Sequence, residues 1–550
     1  MKKSLYLLTL LLIVQISFGQ EMFSDEKIEI GTPYETVVAQ FNKYYTFKDL
    51  IFGIKINREK ITLQTYNIES LTQEKIKVYD DFLKELKIEE ILRIKDKLFL
   101  FYSFYNEITN KESLYFREID VEECSFKEGA KLLFEIEENV TSSMEFQQLV
   151  DNLDFRSSFD GNKLLIQYLK RPDRKLPKKQ RKNALSVIGF KVFDQKLNLI
   201  WSKEIEMPYK YAEMKNKDYA IDTDGNCYLV SLIGSDFILF KIAAQTGILS
   251  KNKIEIASDQ IIENLKLFQI SDKSIICAGY TLVIASLEGS ESGIFKYNIL
   301  DTTPEIDHYV IPLKIVYQNA TKIRLNSFEA GHSSYKKVYS LSIKSLVPEL
   351  LFVDKDGSML LIGEQNIPIS RNYGAFVPAS SGISPLIGIS SGHMLYNDVL
   401  ITKFNKDGSL AWVNKLAKHQ ETVNRTRFDG LEKRGLSYKF IDGENDLYII
   451  YTDHKKNLNL DSIKAPKPND FGNEGVLVAY EINKNSGVGK KTPIFEVRKI
   501  KEIRTSKFSL SRMVTKKKDE LIIEIYDGSF KDILIKKKVG NDVLLKIKLK

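Results

Sequence analysis

The sequence contains Asp222-Thr-Asp-Gly-Asn-Cys-Tyr-Leu-Val-Ser231, in which an Asp-Gly turn leads directly into an apolar segment. The same arrangement begins at Ser158-Phe-Asp-Gly161 and at Asp354-Lys-Asp-Gly357. Asp-Gly between two extended segments favours a tight hairpin, because Gly accepts a positive φ and Asp tolerates one. Recurrence of this turn at three widely separated places predicts a repeat fold rather than a single hairpin.

A second type of turn recurs after these hairpins. Residues 193–201 and 404–412 each run from a Phe to a Trp at the same spacing, and looser copies occupy 240–247 and 480–487. Each unit then consists of a strand, an Asp-Gly-type turn, a strand, a variable connection, a strand, a Gly-type turn and a strand. This order predicts a four-stranded antiparallel meander, which is the blade of a β-propeller.

The turn sequences resemble those of known propeller families. Residues 158–164 resemble the Ser-Pro-Asp-Gly turns of bacterial propeller proteins. The Gly-x-x-x-Trp sequence ending at Trp412 and the pair Thr246-Gly247 resemble the tryptophan-docking repeat of quinoprotein-like propellers. The resemblance implies an exported bacterial β-propeller. Most units lack the Trp and the Asp that opens that repeat, so a quinone cofactor is not carried over and no cofactor is predicted.

The predicted fold class is all-β, a β-propeller of seven to eight four-stranded antiparallel blades. The motif count gives eight, with second strands starting near Leu50, Leu98, Leu164, Tyr228, Ile275, Met359, Leu447 and Leu521. Seven blades with one stray hairpin is the alternative, because residues 95–97 and 516–519 replace Asp-Gly in two units. Residues 544–550 are expected to form a closing strand, with no separate sorting domain after it.

The first nineteen residues have the pattern of a signal peptide. Lys2-Lys3 precede an apolar run at 5–14, and Ser17-Phe-Gly19 supplies small residues before a cleavage site at Gln20. Residues 20–550 are then expected to form a single propeller domain. Because no Cys stands near the cleavage point, lipid anchoring is not expected. The protein is predicted to be exported to the periplasm or the extracellular space, without a transmembrane segment.

Composition narrows the classes of partner. Lys and Arg number 81 against 73 Asp and Glu, a small excess that does not predict nucleic-acid binding.

Cys227 and Cys277 lie within apolar strand segments, where buried thiols are expected. A disulfide between these two residues is the alternative.

Three long connections, 170–182, 366–398 and 454–475, each follow the second strand of their unit. A meander places all such connections on one face, and loops on rigid scaffolds often carry function. The candidate binding residues on these loops are Lys170, Arg171, Arg174, Lys178, Lys179, Arg181, Tyr373, Phe376, His393, Tyr396 and His454. Residues 170–182 are strongly basic, and Pro172 and Pro177 argue against a helix there. This segment is interpreted either as a site for an anionic polymer or acidic partner, or as a solvated loop.

Two catalytic or metal motifs require comparison with simpler explanations. Gly388-Ile-Ser-Ser-Gly392, followed by His393, matches the serine-hydrolase elbow, which needs a strand before it and a helix after it. The flanking sequence instead predicts a flexible Gly/Ser loop. The Asp-x-Asp-Gly turns lack the distant acid of a calcium loop, since an EF-hand frame from Asp222 places Ile233 at its last position. No catalytic residue and no metal site are predicted.

Two classes of function remain open from the sequence. The first is a non-catalytic binding or scaffolding propeller whose partner is a protein or a cell-envelope polymer. The second is an exported hydrolase or lyase acting on glycan or peptide at the mouth of the propeller channel. Carboxylates clustered with His at that mouth would favour the enzyme, whereas an apolar or aromatic patch would favour the binding module.

Overall fold

The structure is a computed structural model that describes most of residues 27–549. Residues outside the description are 1–26, 58–59, 83–85, 138–139, 142–152, 173–175, 258, 284–291, 302–305, 313, 316–317, 320–321, 330–331, 340–344, 375–387, 424–435, 461–463, 470–474, 499, 501–502, 504–508, 529–539 and 550. Only the backbone is described at 283, 322–329, 332–339, 368–374, 388–393 and 422–423. The expected signal peptide and its cleavage site therefore lie outside the described residues.

The chain forms an eight-bladed β-propeller of antiparallel sheets. Blade 1 consists of Phe41–Phe47, Leu50–Asn57, Lys60–Asn67 and Gln73–Tyr79, and blade 2 of Lys87–Ile94, Lys97–Asn106, Lys111–Asp120, Ser125–Phe126 and Lys131–Glu137. Blade 3 consists of Val140–Thr141, Asp154–Ser157, Lys163–Lys170, Leu185–Asp194 and Leu199–Lys210. Blade 4 consists of Met214–Ile221, Cys227–Ile233, Asp236–Ile242 and Leu249–Lys253.

Blade 5 consists of Gln260–Ser271, Ser274–Val283, Ser292–Asn298 and Asp307–Ile311, and blade 6 of Leu346–Val353, Met359–Gly374, Gly388–Phe404, Leu410–Leu416 and Gln420–Val423. Blade 7 consists of Lys439–Asp442, Asp446–His454, Gly475–Asn483 and Gly489–Glu496. Blade 8 consists of Met513–Lys517, Glu520–Asp527, Asn541–Lys548, Ile28–Ile30 and Tyr34–Glu35. A hairpin of Lys322–Glu329 and His332–Tyr339 lies between blades 5 and 6. Short helices occur at Lys178–Asn183, Lys455–Asn457 and Leu510–Arg512.

The ring is closed by the N-terminal part of the chain. Strand Ile28–Ile30 pairs with the third strand of blade 8, with Ile28 opposite Ile547. A buried hydrophobic cluster fills the seam between each blade and the next, and one cluster joins blade 8 to blade 1. First strands of neighbouring blades contact each other in blades 3 to 6 and in blades 8 and 1, so they surround the centre. The ring therefore holds together through eight apolar seams.

The motif count of eight blades is confirmed, and all eight predicted second strands are present at the expected places. The hairpin turns have the predicted geometry: in the first, Gly225 has a φ of +92° and its N–H donates to the Asp222 carbonyl at 3.1 Å. Gly357 repeats this bond with Asp354 at 3.0 Å. The seven-bladed alternative is wrong, because the weak turns at 95–96 and 518–519 still connect paired strands.

The two Trp side chains pack between adjacent blades. Trp201 is buried in the cluster that joins blades 3 and 4. Trp412 packs in the seam of blades 6 and 7, where its indole Nε1 donates to the Lys484 carbonyl at 3.1 Å. A Cβ on Gly487 would lie 2.5 Å from this indole ring, so the turn approaches the ring closely only because it has no side chain there.

The prediction against a helix in residues 170–182 is wrong, since Lys178–Asn183 is helical. This helix starts directly after Pro177, and a proline at a helix start costs no hydrogen bond because the first N–H groups have no partner in the helix. The expected flexible loop around Gly388 is also wrong. Residues 388–392 continue a strand, with Ser390 opposite Asn372, because the antiparallel partner satisfies their backbone groups.

Cysteine chemistry follows the simpler prediction. Cys124, Cys227 and Cys277 are free and buried, so no disulfide joins Cys227 to Cys277. Burial raises the pKa of the Cys277 thiol to about 12 and that of Cys124 to about 11. Among the described residues, no helix is long and apolar enough to cross a membrane.

Candidate functional site

The two faces of the ring differ in the length of their connections. We call the face with the first-to-second and third-to-fourth strand turns the turn face, and its connections have two to eight residues. The opposite side, which we call the connection face, carries the second-to-third strand connections and the links between blades. Its long second-to-third connections are 171–184, 375–387, 455–474 and 528–540. The elaboration of one face is therefore a property of the fold.

The three connections named from the sequence each join a second strand to a third strand, but the expected bounds 366–398 are wrong, because 366–374 and 388–398 are strand and only 375–387 join them. Sequence reasoning missed the fourth, 528–540 of blade 8. Its residues 529–539 lie outside the described part of the chain. The sequence signal for it is the distance between the apolar segments 521–526 and 543–547, which is too long for a tight turn.

Residues 170–183, which we call the basic connection, carry most of the formal net charge of the protein. They contain eight Lys or Arg and one Asp, a net charge of +7, whereas the whole chain has +8. The remaining residues therefore sum to only +1. A single connection on one face supplies nearly all of the excess positive charge.

The basic connection is held by blade 3 at both ends. Lys170 Nζ lies 2.8 Å from a carboxylate oxygen of Glu204, and Tyr168 donates to the same carboxylate at 3.0 Å. At the other end, the Tyr211 N–H donates to the Ala184 carbonyl at 2.9 Å. The connection thus starts and ends at fixed points on the blade.

The cations between these fixed points have no counter-ion in the described part of the chain. The helix Lys178–Asn183 buries none of its residues. The cations that form no ion pair with any described residue are Arg171, Lys178, Lys179, Arg181 and Lys182. By contrast, the exposed Lys111, Lys210 and Lys253 elsewhere on the ring each pair with a carboxylate. The basic connection is therefore a concentrated, uncompensated positive surface.

Two other candidate residues have buried side chains. Tyr396 is 6% exposed and its carbonyl accepts a bond from Lys418 Nζ at 2.9 Å. His454 is 8% exposed, and its Nδ1 accepts from the Lys456 N–H at 3.1 Å, which caps the short helix after it. In this structure both residues contribute to packing and capping rather than to a solvent-facing surface.

The remaining candidates are described only in part. Tyr373 and His393 lie in the paired strands of blade 6, where only the backbone is described. Arg174 and Phe376 lie outside the described residues. The role of these four residues in binding stays a prediction.

A buried ionic cluster lies in the seam of blades 8 and 1, and sequence reasoning missed it. We call it the seam cluster, and it consists of Lys55, Arg512, Glu524 and Asp542. Lys55 Nζ lies 2.7 Å from Glu524 and 3.0 Å from Asp542, and Arg512 lies 2.9 Å and 3.4 Å from the same two carboxylates. Two cations thus balance two carboxylates with almost no exposure to solvent.

Three tyrosines donate hydrogen bonds to the seam cluster, and the burial and charges of the cluster shift the pKa values of its two carboxylates. Tyr34, Tyr44 and Tyr66 donate their hydroxyl protons to Glu524. Burial alone would raise the pKa of Glu524, but Lys55 and Arg512 lower it to about 2. Burial and the Glu524 charge raise the pKa of Asp542. Because Lys55 is 487 residues from Asp542 in sequence, no local pattern indicates this contact.

A second buried polar cluster lies between blades 6 and 7, close to the connection face. Lys418 Nζ lies 2.6 Å from Glu364, which also accepts a bond from the Ser437 hydroxyl at 2.7 Å. Gln420 donates to the Thr452 carbonyl at 2.9 Å. These contacts connect the two blades and supply partners for the buried side chains of Glu364 and Gln420. They explain why blade 6 tolerates charged residues at interior positions.

The structure offers one described hydroxyl–imidazole pair, in blade 5. The Thr281 hydroxyl lies 2.9 Å from His308 Nε2, and His308 Nδ1 lies 3.3 Å from the Gln260 amide nitrogen. An amide N–H that donates to Nδ1 places the imidazole proton on Nε2, so the ring donates to Thr281 instead of removing its proton. Thr281 is also fully buried. This arrangement is suited to packing and lacks the features of an activated nucleophile.

Three other places could in principle hold a ligand: a metal site, the centre of the ring and a groove on the turn face. No group of three or more His, Cys, Asp or Glu among the described residues could hold a metal ion. The first strands around the centre carry satisfied ion pairs, such as Arg156 with Asp218 at 2.8 Å and Lys43 with Glu90 at 3.0 Å. A groove of about 820 Å³ on the turn face lies between blades 1 and 2, and acidic and basic side chains both line it.

Comparisons with known proteins give only distant structural matches. No protein-family profile and no curated protein matches the chain. A solved structure of prolyl endopeptidases aligns with 79% of this chain and 55% of its own, at 10% identity and a TM-score of 0.30. The chain thus spans about half the length of that protein.

Two further solved structures give similar values. The β-propeller domain of the Trilobed protease from Pyrococcus furiosus aligns over 82% of this chain and 99% of its own, at 10% identity and a TM-score of 0.30. The polysaccharide lyase Uly1 aligns over 94% and 92%, at 10% identity and a TM-score of 0.28. Likeness at this level says nothing about activity. The chain is a β-propeller protein with distant structural similarity to prolyl oligopeptidase propellers, lyases and uncharacterised proteins.

Proposed function

We propose that this protein is an exported, non-catalytic binding or scaffolding module that receives its partner on the connection face. The observation that carries this proposal is the concentration of charge in the basic connection, +7 of a total of +8. Uncompensated charge on one side of a rigid ring attracts and orients a partner of opposite sign. The turn face, with its short connections, serves as the rigid base of the ring.

The length of the connections on this face supports the same proposal. Loops beyond about 12–15 residues inside a compact domain are uncommon unless they are functional or disordered. Blade 3 holds the basic connection at both ends, through Glu204 and Ala184, so its cations lie between fixed points of a rigid sheet. Export is part of the proposal, and sequencing the N-terminus of the secreted protein is expected to give a chain that starts at Gln20.

The experiment shortens one connection and measures partner capture. In blade 3, Lys170 lies opposite Val187, so replacing residues 171–186 by Asn-Gly closes the hairpin with a two-residue turn. A matched variant replaces 375–387 by Asn-Gly between Gly374 and Gly388, which also lie opposite each other. Each variant is checked for an unchanged melting temperature before use.

Both folded variants are then compared with the unmodified protein for the material they retain from a cell-envelope extract. We expect the blade 3 variant to lose most of the retained material. If both folded variants retain as much as the unmodified protein, the connection face is not the partner surface.

A further inference from the structure

We propose that the basic connection binds an acidic polysaccharide, a polymer that carries carboxylate or sulfate groups at regular intervals. This inference rests on the proposed function and names the chemistry of the partner. The cations available for contact are Arg171, Lys178, Lys179 and Lys182, which have no ion pair with any residue that the structure describes. A polymer supplies several anionic groups in succession, which matches several free cations within one short segment.

The first two basic residues of the helix do not serve its stability, whereas Arg181 and Lys182 lie in its last turn, where positive charge is favourable. Lys178 and Lys179 are its first two residues, where a positive charge opposes the helix dipole, and no acidic residue lies in its first turn. Pro177 at the N-cap position makes no side-chain capping bond. Acidic or capping residues would stabilise this helix more than lysines do. The charges of Lys178 and Lys179 are therefore better explained by an external anion than by folding.

The surroundings disfavour a protein partner of the usual kind. Protein interfaces depend on buried aromatic or apolar anchors at their centre. Within the described part of the basic connection, the one exposed large apolar side chain is Leu176, at 38% exposure. Binding to a polyanion requires no such anchor, because release of counter-ions from the polymer supplies the free energy. A surface rich in charge and poor in anchors thus fits a flexible polyanion.

A lipid bilayer fits this face less well. In blade 6 the second and third strands continue past the first strand as a paired arm, from Asn366 opposite Tyr396 to Gly374 opposite Gly388. Nine residues of antiparallel strand extend for about 30 Å. Since blade strands run between the two faces, this arm projects from the connection face. A flat surface would meet the arm first, whereas a flexible chain can reach the helix in blade 3.

The test compares two variants that lose the same charge from opposite faces. The first changes Lys178, Lys179 and Lys182 to Gln. The control changes Lys196, Lys355 and Lys406 to Gln, three exposed lysines in turn-face turns that pair with no described carboxylate. Each variant removes three positive charges, so a difference between them reports position rather than net charge.

The probes are polygalacturonate, uncharged dextran, polyglutamate and vesicles that contain anionic phospholipid. We expect the full-length mature protein to bind polygalacturonate and not dextran, with affinity that falls as salt rises. The connection-face variant should bind about tenfold or more weakly, with a salt slope lower by about one for each lysine that contacts the polymer. The turn-face control should bind within about twofold of the unmodified protein.

Each other outcome overturns the inference in a distinct way. Equal loss in both variants means that binding follows net charge and has no site. Tighter binding of polyglutamate or of vesicles assigns the face to an acidic polypeptide or a membrane and leaves the proposed function intact. Failure to bind any of the probes overturns the acidic-polysaccharide assignment, while the proposed function stands or falls separately with the loop-replacement experiment.

Discussion

Replacing Lys55 by Met removes one of the two cations of the seam cluster and leaves two buried carboxylates against one arginine. Lys55 lies 2.7 Å and 3.0 Å from these carboxylates, and all three side chains are fully buried. Removing one partner of a buried ion pair typically costs ~3–5 kcal/mol, because the remaining charge is left without compensation. We therefore expect a loss of this size in the free energy of unfolding.

The matched control is Lys253→Met. Lys253 lies 3.0 Å from Asp236, but the two side chains are 48% and 46% exposed. Ion pairs exposed to this extent contribute roughly 0–1 kcal/mol. The distance is thus nearly the same in the two pairs and burial differs, so the comparison isolates the effect of burial.

A double variant tests the cause of the loss. Adding Asp542→Asn to Lys55→Met leaves Arg512 opposite Glu524, one cation and one anion, so the double variant should be more stable than Lys55→Met alone. The assay is the denaturant midpoint for all variants. A Lys55→Met variant that loses no more stability than Lys253→Met would refute the electrostatic account of the seam cluster.

Three further predictions concern the rest of the ring. Trp201→Ala should lower the melting temperature, since truncating a buried ring costs ~3–5 kcal/mol, and Trp412→Ala should lower it less, because that ring is only half-buried; an unchanged temperature in either variant would contradict the seam packing. Burial raises the pKa of Cys277 to about 12, so native protein should react slowly with a thiol reagent and denatured protein should show three thiols; a single thiol would reveal a Cys227–Cys277 bridge. Burial raises the pKa of Tyr66 well above 10, so the unfolded chain loses this proton first and the denaturant midpoint should fall as pH rises above about 10. A midpoint that stays constant through this range would contradict the burial of the tyrosine hydroxyls.

Local sequence patterns predict the blades because each blade is built from neighbouring strands. The turn from Asp222 to Gly225 needs a residue that accepts a positive φ, and Gly225 is that residue. The four residues of the turn are therefore enough to predict it from the sequence. Blade count follows from the recurrence of such turns, even where Lys95-Asp-Lys97 replaces the usual pair. Here a positive φ of 52° at Lys95 closes the hairpin without glycine.

The parts that the sequence does not predict depend on distant contacts. Tyr396 and His454 belong to polar loops in the sequence, but the folded protein buries them. The same limit applies to Lys55, whose partners lie in blade 8. Whether a polar residue faces solvent or a seam depends on which blade packs against it, and one chain read alone contains no signal for that.

The helix at Lys178–Asn183 shows a different limit. Proline in a segment argues against a helix interior, yet Pro177 precedes the helix and supports its start. Whether a proline prevents a helix or supports its start depends on where the proline lies relative to the helix, not on its presence alone. Charge, by contrast, was readable directly, because the basic residues of this segment are adjacent in sequence.

The most direct test of the central claim is lysine footprinting of the protein with and without bound partner. Surface lysines are methylated in the free protein and in complex with material captured from a cell-envelope extract, and protection is measured by mass spectrometry. The account predicts protection of Lys178, Lys179 and Lys182, with Lys196 and Lys355 modified equally in both states. Protection of Lys196 and Lys355, with the basic connection fully modified in the complex, would contradict it.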